Sequence, residues 1–70
     1  MKGSIRIKLG RNIKDYRNKC GYTQEKLSEL ADIDYKYLQR IEGKNPPALK
    51  IDTIEKIAKA MGTSSKDLMP

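Results

Sequence analysis

The chain has 70 residues, enough for one small domain with a thin core, because a chain this short buries only about 60% of the surface its unfolded form exposes. Hydrophobic residues make up 37% and charged residues 34%, which argues against a disordered tail, and no apolar run approaches the roughly 20 residues of a membrane span. The net charge of +6 lies entirely in residues 1–20, which carry seven lysines and arginines against Asp15 alone. This basic excess favours a polyanion as partner.

The amino-terminal segment MKGSIRIKLGRN lacks the continuous apolar stretch of a secretory signal, so a cytoplasmic protein is expected. Cys20 is the single cysteine and there is no histidine, so neither an internal disulfide nor a metal site is expected. Cys20 is interpreted as a small, half-buried apolar residue at a helix end. An enzyme and a cofactor are not expected either, because no nucleophile stands beside a base and no glycine-rich loop is present to bind phosphate.

The first predicted helix runs to about Lys19, and Gly21 follows as the glycine that ends it. Its apolar residues recur at spacings of three and four and define one face: Ile5, Leu9, Ile13, Tyr16 and Cys20. The alternation in IRIKL fits either a helix or a short extended segment. Residues 1–8 are therefore assigned as an arm or a helix extension, and residues 9–70 as the domain. Gly10 lies inside this helix although glycine costs about 1 kcal/mol there relative to alanine.

A second and a third helix follow, separated by a turn of about three residues. Thr23 is the expected N-cap of the second helix, at about residues 24–31. The apolar stripe of this helix is Leu27, Leu30 and Ala31. Asp32 lies in the turn, where aspartate tolerates the left-handed conformation better than most residues. Asp34 is the expected N-cap of the third helix, at about residues 35–42, a role favoured over contact with a cytosine.

The carboxyl-terminal part begins with the loop GKNPPALK, because its prolines and asparagine disfavour a helix. The clearest amphipathic helix follows, with an apolar face of Ile51, Ile54, Ile57, Ala58 and Met61. Ser64 and Asp67 have the spacing of a capping box that opens one more turn. Leu68 and Met69 would pack from that turn.

The third helix groups its large polar side chains on one side. With about 100° between successive residues, Leu38 and Ile41 fall together and belong in the core, with Tyr37 beside them. The opposite side carries two cations, an amide and a phenol: Lys36, Arg40, Gln39 and Tyr35. These groups donate hydrogen bonds, and in the major groove of DNA arginine or lysine binds guanine while glutamine binds adenine. The alternative is an ordinary solvated helix face.

The chain resembles the Xre/Cro repressor family of helix-turn-helix domains in two stretches, TQEKLSELADIDYKYLQRIEGKNP and IEKIAKAMGTSSKDL. The resemblance covers about residues 9–68. It implies an all-α fold of the lambda-repressor type, a compact bundle of about five short helices with a helix-turn-helix whose third helix enters the major groove. In this family's pattern Tyr35, Lys36 and Arg40 match base-reading positions, and Gln39 matches an accessory one.

The same resemblance implies contacts with the DNA backbone. Thr23 and Gln24 stand at the start of the second helix, and Gln24 matches a residue that touches a phosphate and supports a base-reading side chain. Tyr37 matches a position that either packs or reaches the backbone, and the two interpretations weigh equally. Lys44 and Asn45 match the loop that binds phosphate beyond the third helix.

Two structural roles also follow from the resemblance. Arg17 and Glu42 match a buried ion pair that ties the first helix to the third, and losing one partner of such a pair typically costs about 3–5 kcal/mol. The ends of the last two helices, with Met61, Leu68 and Met69, are the expected dimer interface.

The predicted function is sequence-specific binding of double-stranded DNA by a bacterial, phage or plasmid transcriptional regulator, with repressors and restriction–modification controllers both open. A homodimer on a palindromic operator is expected, with its recognition helices about 34 Å apart. The alternative is a protein-interaction module, such as an antitoxin or an adaptor that kept the fold. A membrane-surface peptide is disfavoured, because tryptophan and phenylalanine are absent and the apolar residues are spread over several helices.

Overall fold

The computed structural model describes residues 4–70, which form four α-helices and one 3-10 turn. The helices are α1 Ser4–Cys20, α2 Gln24–Ala31, α3 Tyr35–Ile41 and α4 Ile51–Ala60, and the 3-10 turn is Ser65–Asp67. This confirms the predicted all-α bundle, although the fifth element is a single turn and not a full helix. Residues 4–8 belong to α1, whereas the part of the predicted arm that falls on residues 1–3 lies outside the described residues. No described helix is long and apolar enough to cross a membrane.

Gly10 explains how α1 can cross the end of α3 closely. A Cβ atom at this position would collide with the backbone carbonyl oxygen of Ile41, and the Cα atom of Glu42 lies next to it. Glycine is therefore needed here for close backbone approach, which offsets its poor helix propensity. The sequence predicted the cost of this glycine and not its purpose.

The core combines apolar side chains from every helix and from the carboxyl-terminal turn. Its buried members are Leu9, Ile13, Leu27, Ala31, Leu38, Ile41, Ile54, Ile57, Ala58, Met61 and Leu68. Three residues that were predicted on apolar faces are instead exposed: Ile5, Leu30 and Ile51. In α2 the buried face is completed by Ser28, whose hydroxyl donates to the Glu25 carbonyl oxygen at 2.8 Å, so a small residue fills the place assigned to Leu30.

The turn between α2 and α3 is made by Asp32 in the left-handed conformation, with φ 55° and ψ 50°. The N–H of Ile33 donates to the Ser28 carbonyl oxygen at 3.0 Å, which closes the end of α2. The two predicted N-caps are present: the Thr23 hydroxyl accepts from the Lys26 N–H at 3.0 Å, and the Asp34 carboxylate accepts from the Tyr37 N–H at 3.3 Å. These contacts set the helix-turn-helix and the start of α3.

The predicted capping box at the carboxyl terminus is also present. The Asp67 carboxylate accepts from the hydroxyls of Thr63 at 2.6 Å and Ser64 at 3.0 Å, and from the Ser64 N–H at 3.5 Å. The hydrogen bonds from Thr63 and then Ser64 hold the pKa of Asp67 below its usual value. The turn carries Leu68 into the core, and Asn12 of α1 donates to the Leu68 carbonyl oxygen at 2.9 Å.

Two of the three residues expected at a dimer interface are buried in the monomer, which corrects the expectation that they are exposed. Met61 and Leu68 are buried inside the monomer, because the 3-10 turn folds back onto α4 and α1. Their side chains fill the chain's own core, and a dimer contact through this end of the molecule stays a prediction. Met69 alone of the three is exposed, at 44%.

Candidate nucleic-acid interface

The exposed side of α3 is the one predicted from its helical periodicity. Leu38 and Ile41 are 0% and 1% exposed, so they anchor the helix in the core. Tyr35 is 40% exposed, and the other three side chains of the predicted polar face are also exposed: Lys36, Gln39 and Arg40. The burial of the anchors forces these groups outward, since residues on opposite sides of one helix turn cannot share an environment.

The angle of α3 is held by an ion pair between Arg17 of α1 and Glu42. The Arg17 Nε atom donates to Glu42 Oε2 at 2.9 Å, and the Nη2 atom donates to Oε1 at 2.9 Å. The two side chains are 10% and 2% exposed. A bidentate contact between a guanidinium and a carboxylate fixes direction as well as distance, so the pair orients the end of α3 relative to α1.

The same ion pair is extended to the start of the helix-turn-helix. The Arg17 Nη1 atom donates to the Tyr22 carbonyl oxygen at 2.7 Å. Gln24, the first residue of α2, donates from its Nε2 atom to Glu42 Oε1 at 3.0 Å. The Gln24 amide is therefore already engaged with α3, a contact that the sequence did not predict. A phosphate contact by Gln24 stays a prediction, as does one by Thr23, whose hydroxyl oxygen caps α2.

A first cleft runs along the polar side of α3, and we call it the recognition cleft. It has a volume of about 620 Å³, and α3 and the loop after it provide its lining: Lys36, Gln39, Arg40, Gly43, Lys44 and Asn45. The predicted base-reading residues thus share one concave surface with the two predicted loop contacts, except that Tyr35 lies outside the lining. Tyr37 is half-buried and packs against the core, as the first of its two interpretations expects. Its contact with the DNA backbone stays a prediction.

A second cleft, which we call the basic cleft, adjoins the first. It has a volume of about 420 Å³ and is lined by Arg6 and Ile7 of α1, Arg40 of α3, and four loop residues: Lys44, Asn45, Pro46 and Pro47. Sequence reasoning left α1 out of the candidate site. The concentration of positive charge in residues 1–20 could have indicated that α1 belongs to the site. IRIKL, however, fits either a helix or an extended segment, and an extended segment would not place Arg6 beside α3.

These features define a class of protein: a small all-helical domain whose helix-turn-helix presents a polar, basic recognition helix. A family model described as "Helix-turn-helix" matches residues 13–68. A curated relative, "Control protein C.BamHI" from Bacillus amyloliquefaciens, is 36% identical over 70 residues, which is 99% of this chain and 85% of that protein.

Two solved structures are similar to this fold. The restriction-modification controller protein C.AhdI from Aeromonas hydrophila has a TM-score of 0.85 at 25% identity, covering 91% of this chain and 96% of that one. The hypothetical transcription factor NHTF from Neisseria has a TM-score of 0.86 at 27% identity, covering 94% of this chain and 75% of that one. The chain belongs to the helix-turn-helix family, in its Xre/Cro-like form, and it is a DNA-binding transcriptional regulator.

Proposed function

We propose that this regulator reads the major groove with the exposed side of α3. The observation that carries the proposal is the burial of Leu38 and Ile41, which turns Lys36, Gln39 and Arg40 outward together. Arg40 and Lys36 would bind guanine, Gln39 adenine, and Tyr35 a thymine methyl group or a phosphate. Asp34 takes no part in base reading in this proposal, because its carboxylate caps α3.

The backbone contacts of the proposal lie on both sides of α3. Thr23 and Gln24 stand at the start of α2, and Lys44 and Asn45 stand in the loop after α3, where they line the recognition cleft. Tyr37 is half-buried, so only its hydroxyl end would reach a phosphate. Phosphate contacts at these two places would fix the register of α3 without reading sequence.

We further propose that the chain acts as a homodimer on a palindromic operator. Two recognition helices would then lie about 34 Å apart, one turn of DNA. Sedimentation of the chain with a duplex that carries two half-sites is expected to show two chains per duplex. A single chain per duplex, with a non-palindromic motif, would contradict the dimer.

The relatives favour a control protein of a restriction–modification system over other repressors, because one is called a control protein and another a restriction-modification controller. In this proposal the operator lies upstream of a restriction or modification gene. The chain would act in the cytoplasm and would have no catalytic activity of its own.

A salt titration of duplex binding tests the proposed contact with DNA. If the cations of α3 and the loop neutralise phosphates, log K falls with log salt by roughly 0.9 per contacted phosphate. The antitoxin or adaptor alternative predicts no such slope, because a module that only binds protein releases no counterions from DNA. A flat titration with every duplex offered would reject DNA reading by α3.

A further inference from the structure

We propose that Arg6, in the first turns of α1, binds a phosphate of the DNA backbone beside the groove that α3 reads. The inference rests on the proposed function and extends it to a helix outside the helix-turn-helix. It assigns a backbone contact to the amino-terminal part of α1, where neither the family motif nor the sequence patterns placed one.

The placement of Arg6 follows from how α1 packs on α3. Gly10 touches the backbone of Ile41, and Arg17 pairs with Glu42, so this face of α1 lies against the carboxyl-terminal end of α3. Arg6 precedes Gly10 by four residues and therefore lies on the same face, one turn further out. The contacts of Gly10 and Arg17 with the end of α3 therefore also place Arg6 beyond that end, next to the loop that follows α3.

The basic cleft that results brings together cations from three segments of the chain. Arg6, Arg40 and Lys44 line it, and no acidic residue is found among its lining within the described structure. In residues 4–70 the one salt bridge joins Arg17 to Glu42, so these three cations have no carboxylate partner there. Lys44 also lines a neighbouring cleft that contains Asp15 and Glu42, but in the basic cleft itself the cations prevail, and their positive potential attracts an anion.

The basic cleft is continuous with the recognition cleft. Both are lined by Arg40, Lys44 and Asn45, so one positively charged surface runs from Lys36 on α3 to Arg6 on α1. A duplex whose major groove receives α3 has its phosphates along the edges of that groove, next to the loop and the start of α1. The anion that fits this position is a backbone phosphodiester of the same duplex.

The chemistry of the cleft favours a phosphate over a base edge. Ile7, Pro46 and Pro47 provide apolar surface on which the arginine stem can lie while its head stays in solvent. The guanidinium is planar and binds phosphate oxygens through two parallel hydrogen bonds. Such a contact strengthens binding to all duplexes equally and carries no sequence preference.

The test compares Arg6→Gln with Lys59→Gln, which removes the same unit of charge elsewhere. Lys59 is exposed in the last turn of α4, and it lines neither the basic cleft nor the recognition cleft. The probe is a duplex selected by the wild-type chain from a random pool. We expect Arg6→Gln to lower the slope of log K against log salt by about 0.9, while Lys59→Gln leaves it unchanged. Arg6→Lys should keep the wild-type slope.

Different failures point to different parts of the account. A wild-type chain with no salt-dependent binding would reject both the proposed function and this inference. Normal wild-type binding with equal slopes for Arg6→Gln and Lys59→Gln would overturn the Arg6 contact alone. A changed preference at one base pair in Arg6→Gln would overturn the phosphate assignment. Melting curves recorded over the same salt range show whether a variant is partly unfolded, so that a loss of folding is not mistaken for a lost phosphate contact.

Discussion

Arg17 is the residue on which the geometry of the site depends most. Its guanidinium uses three nitrogens to bind Glu42 and the Tyr22 carbonyl oxygen, and both charged side chains are nearly buried. Arg17→Met would leave the Glu42 carboxylate buried without its countercharge. We expect a loss of about 3–5 kcal/mol in the free energy of unfolding, measured by denaturant titration without DNA.

Two further variants show whether that loss comes from the ion pair. Arg11→Met removes an exposed arginine of the same helix and should change stability by no more than about 0.5 kcal/mol. Arg17→Met combined with Glu42→Leu should recover part of the loss, because no buried charge is then left unpaired. Native stability of the single Arg17→Met variant would show that the pair contributes nothing to folding.

At the scale of the helix, Gly10 determines how closely α1 approaches α3. Gly10→Ala improves helix propensity by about 1 kcal/mol, yet its Cβ would meet the Ile41 carbonyl oxygen. We expect a net loss of about 1–3 kcal/mol, as for other overpacked sites, with weaker DNA binding because the end of α3 is displaced. Thermal unfolding and duplex titration measure the two effects. Asn18→Ala, on the exposed side of α1, is the control and should not destabilise the chain.

The carboxyl-terminal turn is expected to weaken in acid. Hydrogen bonds from Thr63 and Ser64 lower the pKa of Asp67, so the folded chain favours the charged carboxylate. The stability that this adds is present above the ordinary aspartate pKa of about 3.9 and is lost as the pH falls through the lowered value in the folded chain. Between about pH 5 and pH 2, the melting temperature of Asp67→Asn should therefore fall less with decreasing pH than that of the wild-type chain. An identical curve for variant and wild type would rule out the linkage.

The helices differ in how far their patterns predicted them. The periodicity of α3 predicted its buried and exposed sides, because Leu38 and Ile41 are large apolar residues with the spacing of one face. The same reasoning misplaced Leu30 of α2, where the neighbouring helices leave room for the smaller Ser28. Periodicity describes one helix at a time, so it does not contain the shape of the surface against which that helix packs.

At the scale of the whole molecule, the sequence predicted the fold class and the function, and the resemblance implied the Arg17–Glu42 pair, but other contacts between distant segments were not predicted. The burial of Met61 and Leu68 depends on the last turn folding back to α1, and the purpose of Gly10 depends on Ile41. The basic cleft likewise brings Arg6 and Lys44 together, although the whole helix-turn-helix lies between them in the sequence. Pairs of this kind are far apart in the chain, and local spacing carries no information about them.

The central claim is that the outward side of α3 selects the DNA sequence, and parallel selections from a random duplex pool test it most directly. The wild-type chain, Arg40→Ala and Lys59→Ala would be compared. We expect Arg40→Ala to lose about 1–3 kcal/mol on the best wild-type site and to relax the preference at one base pair, or at its symmetry-related pair in a palindrome. Lys59→Ala should return the wild-type motif. An Arg40→Ala motif identical to that of the wild type would contradict the claim.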